Sequence, residues 1–294
     1  MQTFKKSLQN STSDDLALPY AVLTGKSAAK VTKAEAVSAL VASFDGKTAE
    51  CHVEYLGALS PEKAQAMYFY RGNGYENMNH ALRTGHMPFH INTWMISDAI
   101  STGLKTSKRD STLFGSPGGP SKLAKTLLKR SSVDKIIEDR VKVDLEDSMR
   151  QWEKLADMIA AVSEAPARPN DCVLWRGERF RDVFHAQKNA QNPSHFHGES
   201  MKTLHVGSEF VRKDFSSFSM AVHMACGFAG QGCCLYRLSL PKSAKALVFD
   251  PKSEPREFEV VLPPKTKFRV TRKQVVKSEV SAGASMTVYW LDIV

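Results

Sequence analysis

Apolar positions change their spacing part-way along the chain. Between residues 60 and 85 they fall at helical intervals in two pieces, separated by Arg71-Gly72-Asn73-Gly74, a turn signal between Tyr70 and Tyr75. From 121 to 165 there is neither glycine nor proline. Val141, Leu145, Met149, Trp152, Ala156 and Ile159 recur there at intervals of three and four, which predicts the longest helix. Beyond Pro166 the pattern becomes short apolar runs at 172–175, 233–240, 246–249, 260–262, 268–270 and 286–294, with Gly, Pro, Asn and Ser clusters between them. Helices first and strands later, with no strand–helix alternation and no internal repeat, predict an α+β architecture.

Residues 1–45 open polar and rich in Ser and Thr, then carry one modest amphipathic stretch at 33–44. They are expected to form a polar leader whose first 15 residues are disordered. The remainder, 46–294, is expected to be a single domain with a helical part at 46–165 and a β-rich core at 171–294. The segment 105–121, with Gly115, Pro117, Gly118, Gly119 and Pro120, reads as a flexible loop. It does not fit a phosphate cradle, because Pro120-Ser121-Lys122-Leu123 stands where Gly-Lys-Ser/Thr is needed and two prolines remove N–H donors.

At 294 residues and 42% hydrophobic content, the chain can bury a full core. No run of about 18 apolar residues exists, and the first residues lack the apolar stretch of a secretory signal, so no membrane partner is expected. Five cysteines without regular spacing argue for a reducing compartment over a disulfide framework. The net charge of +9 would attract acidic surfaces. The basic residues are spread out with little aromatic interleaving, so nucleic acid is not the expected partner.

Three segments carry candidate chemistry. Glu257-Phe258-Glu259 precedes Val260-Val261-Leu262-Pro263-Pro264. In an extended backbone both acids would project from one face, with the apolar run beyond as their anchor. Upstream stand Leu174-Trp175-Arg176-Gly177 and Phe215-Ser216-Ser217-Phe218-Ser219. An arginine ending an apolar run can grip a phosphate, and a glycine after it lets a ligand approach the backbone.

In order and type these segments resemble the Arg-Ser-Glu class of mono-ADP-ribosyltransferases, which includes arginine-modifying toxins, phage enzymes and bacterial effectors. The resemblance covers 171–294 and, more loosely, 64–85. It implies an ADP-ribosyltransferase fold, in which a helical N-terminal portion packs on a core of two small β-sheets with an NAD cleft between. It also implies that NAD is a substrate, that ADP-ribose passes to a protein side chain, and that nicotinamide is released. Arg176 matches the arginine that binds the NAD phosphates, with Gly177 beside it. Ser217 matches the serine that braces the pocket near the catalytic acid, and Ser219 the last serine of the same strand. Phe218 departs from the family's threonine, and the polar contacts of that threonine go with it.

Phe228, nine residues past Ser219, holds the spacing of the aromatic that flanks nicotinamide in several such toxins, on a helix expected at 220–229. Glu259 matches the catalytic acid and Glu257 the acid that engages the acceptor, which implies arginine as the acceptor. Tyr70, Tyr75, Asn79, Leu82 and Arg83 echo the pattern of the family's NAD-facing helix. By the same resemblance the chain is expected to work as a monomer on a host protein, reaching host cytoplasm by a non-classical secretory route as a virulence effector. The segment 86–132 is expected to help select the target.

Three other readings stay open on residues alone. One is a catalytically impaired relative that binds a partner, for which Phe218 speaks. Another is an NAD glycohydrolase, the same bond cleavage with water as acceptor. The third is a metal or thiol enzyme built on His195, His197, His205 and the cysteines, although no third ligand stands at zinc-like spacing, so no metal is expected.

Overall fold

The segment read as a polar leader folds into three helices, α1 (Gln2–Asn10), α2 (Ser13–Thr24) and α3 (Lys33–Ala42). In α2, Thr12 Oγ1 accepts from Asp15 N at 3.2 Å while Asp15 Oδ2 accepts from Thr12 N at 2.9 Å. Thr32 and Glu35 repeat this capping box at the start of α3. The first 15 residues hold few apolar side chains, yet Phe4 and Leu8 are buried in the core, as are Leu16 and Leu40 further on. Phe4 and Leu8, four residues apart, lie on one face of α1, a helical spacing that average polarity does not register. The computed structural model describes residues 2–29, 31–85, 87, 146, 149–178, 204–229, 234–250, 257–277 and 285–294. The loop at 105–121, most of the segment 86–132, the long helix before 146, and His195 and His197 lie outside the described residues.

Short helices α4 (Gly46–Ala49) and α5 (Val53–Gly57) lead to α6 (Pro61–Phe69), which Ser60 caps and Pro61 starts. A π-helical turn over Tyr70–Gly74, with Gly72 at φ −83° and ψ −128°, separates α6 from α7 (Tyr75–Thr84). Gly85, at φ +78°, ends α7. Helix α8 runs over 149–164 and buries Leu155, Met158 and Val162. Within the stripe read from sequence, Trp152 is 42% and Met149 59% exposed, so the helix is turned to present its neighbouring face.

The strands are β1 (Cys172–Glu178), β2 (Glu209–Arg212), β3 (Ser216–Ser219), β4 (Cys234–Leu240), β5 (Leu247–Val248), β6 (Glu259–Leu262), β7 (Thr266–Lys277) and β8 (Ser285–Ile293), with helix α9 (Val222–Ala229) between β3 and β4. They form one eight-stranded sheet in the order β2-β7-β8-β4-β1-β3-β6-β5, instead of the two small sheets expected. Its two halves meet at β1 and β3 through a single residue pair, Trp175 opposite Ser219. Among the described strands only β4 and β8 pair in parallel.

Two cores flank the β3–β6–β5 half. Val260 and Leu262 join the core of α1–α3, while Val261 joins that of α6–α8. Covering on both faces is why Val260-Val261-Leu262 reads as an unbroken apolar run. Buried His52 ties the helical part to this sheet, with Nε2 at 2.9 Å from Pro166 O and Nδ1 accepting from Val248 N at 3.0 Å.

Candidate active site

Arg176 lies within β1, one residue past Trp175 at the junction of the two half-sheets. Its Nε donates to Glu178 Oε1 at 2.6 Å and its Nη1 to the Ser217 carbonyl at 2.6 Å. Arg176 is thus locked to both strands that meet there. Glu178 also accepts from Arg212 Nη1 at 2.9 Å. Arg212 in turn pairs with Asp214 at 3.4 Å, and Arg83 of α7 donates to Asp214 Oδ2 at 2.7 Å. Burial alone would raise the Glu178 carboxyl, but the Arg176 and Arg212 charges hold it below the usual carboxylate range. Arg176 is driven the other way by Glu178, so its proton is held more firmly than usual despite burial. Among the described residues this chain sets three guanidiniums against two carboxylates, one positive charge in excess.

Ser217 and Ser219 share one face of β3. The Ser217 hydroxyl donates to Glu259 Oε1 across the β3–β6 pair, on the diagonal, since Ser217 sits opposite Val261 and Ser219 opposite Glu259. Ser219 does something else. Its Oγ donates to the Glu257 carbonyl at 2.6 Å and accepts from Ala221 N at 3.0 Å, bracing the acid-bearing turn against the start of α9.

The acids do not stand on an extended backbone. Phe258 between them has φ +47°, a left-handed conformation that costs a bulky residue about 1–3 kcal/mol. Glu259 opens β6, whereas Glu257 lies before it. The backbone of the turn is held at three successive carbonyls: Glu257 O by Ser219, Phe258 O by Met220 N at 3.0 Å, and Glu259 O by Phe249 N at 3.0 Å. The Glu259 carboxyl is pushed up to about 7, first by burial and further by Glu257, against the Ser217 hydrogen bond and the Arg71 and Arg176 charges.

Tyr70 is buried within the same neighbourhood and stacks edge-on against Phe215 at 5.3 Å. Burial, then the Glu259 charge, pushes its phenol well up, and it hydrogen-bonds Asn79. Asn79 Oδ1 accepts from Phe215 N at 3.1 Å, so Asn79 fastens α7 to the entry of β3. Tyr75 and Phe228 are surface side chains, 41% and 49% exposed, and the Tyr75 hydroxyl meets Glu76. Gly177 has a role the sequence did not suggest. A Cβ at this position would overlap the Ala225 carbonyl and the Ala229 nitrogen of α9, so a glycine is required for the close approach of that helix backbone. Phe218 points away from the acids into the core of the larger half-sheet, with its ring 6.1 Å from that of Phe268.

No protein-family model matches the sequence, and no curated protein does. Solved structures do. The enzymatic component C2-I of the C2 toxin from Clostridium botulinum superposes with a TM-score of 0.49 at 16% identity, over 86% of this chain and 48% of that one. BECa, an ADP-ribosylating toxin of a binary enterotoxin of C. perfringens solved with NADH, gives 0.49 at 15% identity over 83% of this chain and 46% of that one. C3larvin, an ADP-ribosyltransferase from Paenibacillus larvae, gives 0.41 at 12% identity over 85% and 96%. The chain therefore spans about half the length of the first two structures.

Reading the sequence missed Glu178, Arg212, Asp214 and Arg71. The first three carried a usable signal: Arg176-x-Glu178 and Arg212-x-Asp214 are opposite charges two apart, on one face of a strand or its extension. Arg71, whose guanidinium carbon lies 4.9 Å from the Phe249 ring centroid, had none. No group of residues suited to hold a metal ion occurs among the described residues. Burial raises the Cys51 thiol to about 11 and the Cys226 thiol well up, against a thiolate nucleophile at either. Among the described residues no helix is long and apolar enough to cross a membrane.

Proposed function

We propose that this chain is a mono-ADP-ribosyltransferase of the Arg-Ser-Glu class, which cleaves NAD and passes ADP-ribose to an arginine of a host protein. The observation that supports this reading is the convergence of Arg176, Ser217 and Glu259 at the junction of the half-sheets, tied by hydrogen bonds across 41 and 42 residues of sequence.

The chemistry follows from charge. As the bond between ribose C1′ and the nicotinamide nitrogen breaks, its electron pair leaves with nicotinamide, which becomes neutral, and positive charge develops on the ribose ring. An ionised Glu259 held by Ser217 stabilises that charge and takes a hydrogen bond from a ribose hydroxyl. A nitrogen of the acceptor guanidinium then bonds to C1′ and gives its proton to Glu257, the second acid of the turn. The excess positive charge of the buried arginine–carboxylate chain, reaching solvent at Arg176, suits the NAD diphosphate. Phe228, exposed on α9, suits a nicotinamide ring that it closes over. Host delivery, action as a monomer and a target-selecting role for 86–132 belong to the same proposal.

The test is to incubate purified protein with NAD labelled in the adenylate half and a host lysate. Label entering a protein band is expected, and Glu259→Gln is expected to lower transfer by about 10³-fold or more. Free ADP-ribose with no labelled protein would favour the glycohydrolase. An intact NAD pool with the wild-type protein would overturn both. NAD binding without turnover by the wild-type protein would favour the impaired-binder reading.

A further inference from the structure

The strained residue of the acid turn is gripped by the opposite end of the chain. Phe258 is 4% exposed, and its ring meets Phe4 of α1 edge-on at 5.3 Å and Phe44, just past α3, edge-on at 4.9 Å. Phe4 and Phe44 are themselves stacked at 4.2 Å, so the three rings form one closed cluster. His223 of α9 touches its rim, 5.4 Å from Phe4. We propose that Phe4 and Phe44 are positioning residues for the acid pair: they clamp Phe258 in its left-handed conformation and so set the direction of Glu257 and Glu259.

Left-handed backbone at a phenylalanine persists only where its surroundings over-determine it. Hydrogen bonds to three carbonyls fix where the turn's peptide groups are anchored. The rings of Phe4 and Phe44, packed on the Phe258 side chain, add the contacts that hold this residue at φ +47°. A left-handed residue reverses the chain locally, and a rotation at Phe258 would swing Glu257 relative to Glu259 while leaving β6 in its ladder. The first helix is thereby part of the catalytic apparatus, although it contributes no group to the reaction. This inference rests on the functional reading above for its activity readout only.

The test compares Phe4→Ala and Phe4→Leu with Leu16→Ala, a buried residue of α2 that stands in none of these ring contacts. In the full chain, kcat for NAD consumption is expected to fall about tenfold or more in Phe4→Ala with KM for NAD within about twofold, because a small misplacement of the acids is costly to the chemical step. Phe4→Leu restores most of the volume and should recover most of the rate. Leu16→Ala should lower the melting temperature yet keep kcat at temperatures where it is folded. Hydrogen exchange supplies a readout that needs no activity: amides at 257–262 should exchange faster in Phe4→Ala, and those of β4 should not. If Phe4→Ala does not fold, Phe4→Val carries the same expectation at smaller size. An unchanged kcat and unchanged exchange at 257–262 in the folded Phe4 variant overturn the clamp, as does an equal loss of kcat in Leu16→Ala. A wild-type protein that consumes no NAD would instead sink the functional reading, and exchange would still decide the clamp.

Discussion

Ser217 and Glu259 meet across neighbouring antiparallel strands, with the serine hydroxyl donating to a carboxylate that burial has made reluctant to ionise. The two are not directly opposite. Ser217 pairs with Val261, so the bond runs along the diagonal and pulls the Glu259 side chain over the β3 backbone, towards the carbonyl that Arg176 also grips. One short strand therefore holds both the anion and the cation of the site, and four consequences can be measured.

Ser217→Ala removes the strongest influence favouring the ionised carboxyl. The buried acid would then titrate higher still, and kcat/KM at neutral pH is expected to fall about 10- to 100-fold. A profile of rate against pH checks this: the acid limb should move upward in Ser217→Ala, and recovery at high pH should be partial.

The wild-type acid limb should lie near 7, where Glu259 titrates in the free protein, and not near the ordinary 4.5. The same group sets a stability trend. Its folded pKa is raised, so its contribution is present in full below about 4.5 and is lost as pH rises through 7, on the order of 3 kcal/mol in all. Glu259→Gln should accordingly gain stability relative to wild type between pH 4.5 and 8, read by urea melts at several pH values. A pH-independent difference between the two would contradict the assignment.

Gly177→Ala forces a methyl group into the α9 backbone at Ala225 and Ala229. Destabilisation of about 3 kcal/mol or more is expected, since neither neighbour is a flexible side chain. Calorimetry would show a lowered melting temperature. A protein as stable as wild type would mean that the helix does not lie where it is described.

Glu178→Gln leaves Arg176 and Arg212 facing one another without their shared anion. Removing one partner of a buried pair costs about 3–5 kcal/mol. The loss should persist in about 1 M salt, because screening reaches exposed pairs far better than buried ones. Denaturant melts at low and high salt give the comparison.

What could be read from the chain was local. The two-piece helix at 60–85 and its Gly-rich break, the short strands after Pro166 and the α9 helix all follow from periods of 3.6 and 2 together with turn residues, which depend only on near neighbours. Thr12-x-x-Asp15 and Thr32-x-x-Glu35 were equally legible as helix starts. The order of Arg176, Ser217 and Glu259 was visible as well.

By itself, then, the sequence determined the helix and strand segments and the kinds of side chain available for a site. Tertiary structure alone decided that Phe4 reaches Phe258, that Arg83 finds Asp214 across 131 residues, that Gly177 faces a helix, and that Phe258 takes a left-handed backbone. The reason is physical. Dihedral preference and side-chain period are set by near neighbours, whereas burial, ion pairing and tolerated strain are set by whatever surface the rest of the chain brings alongside.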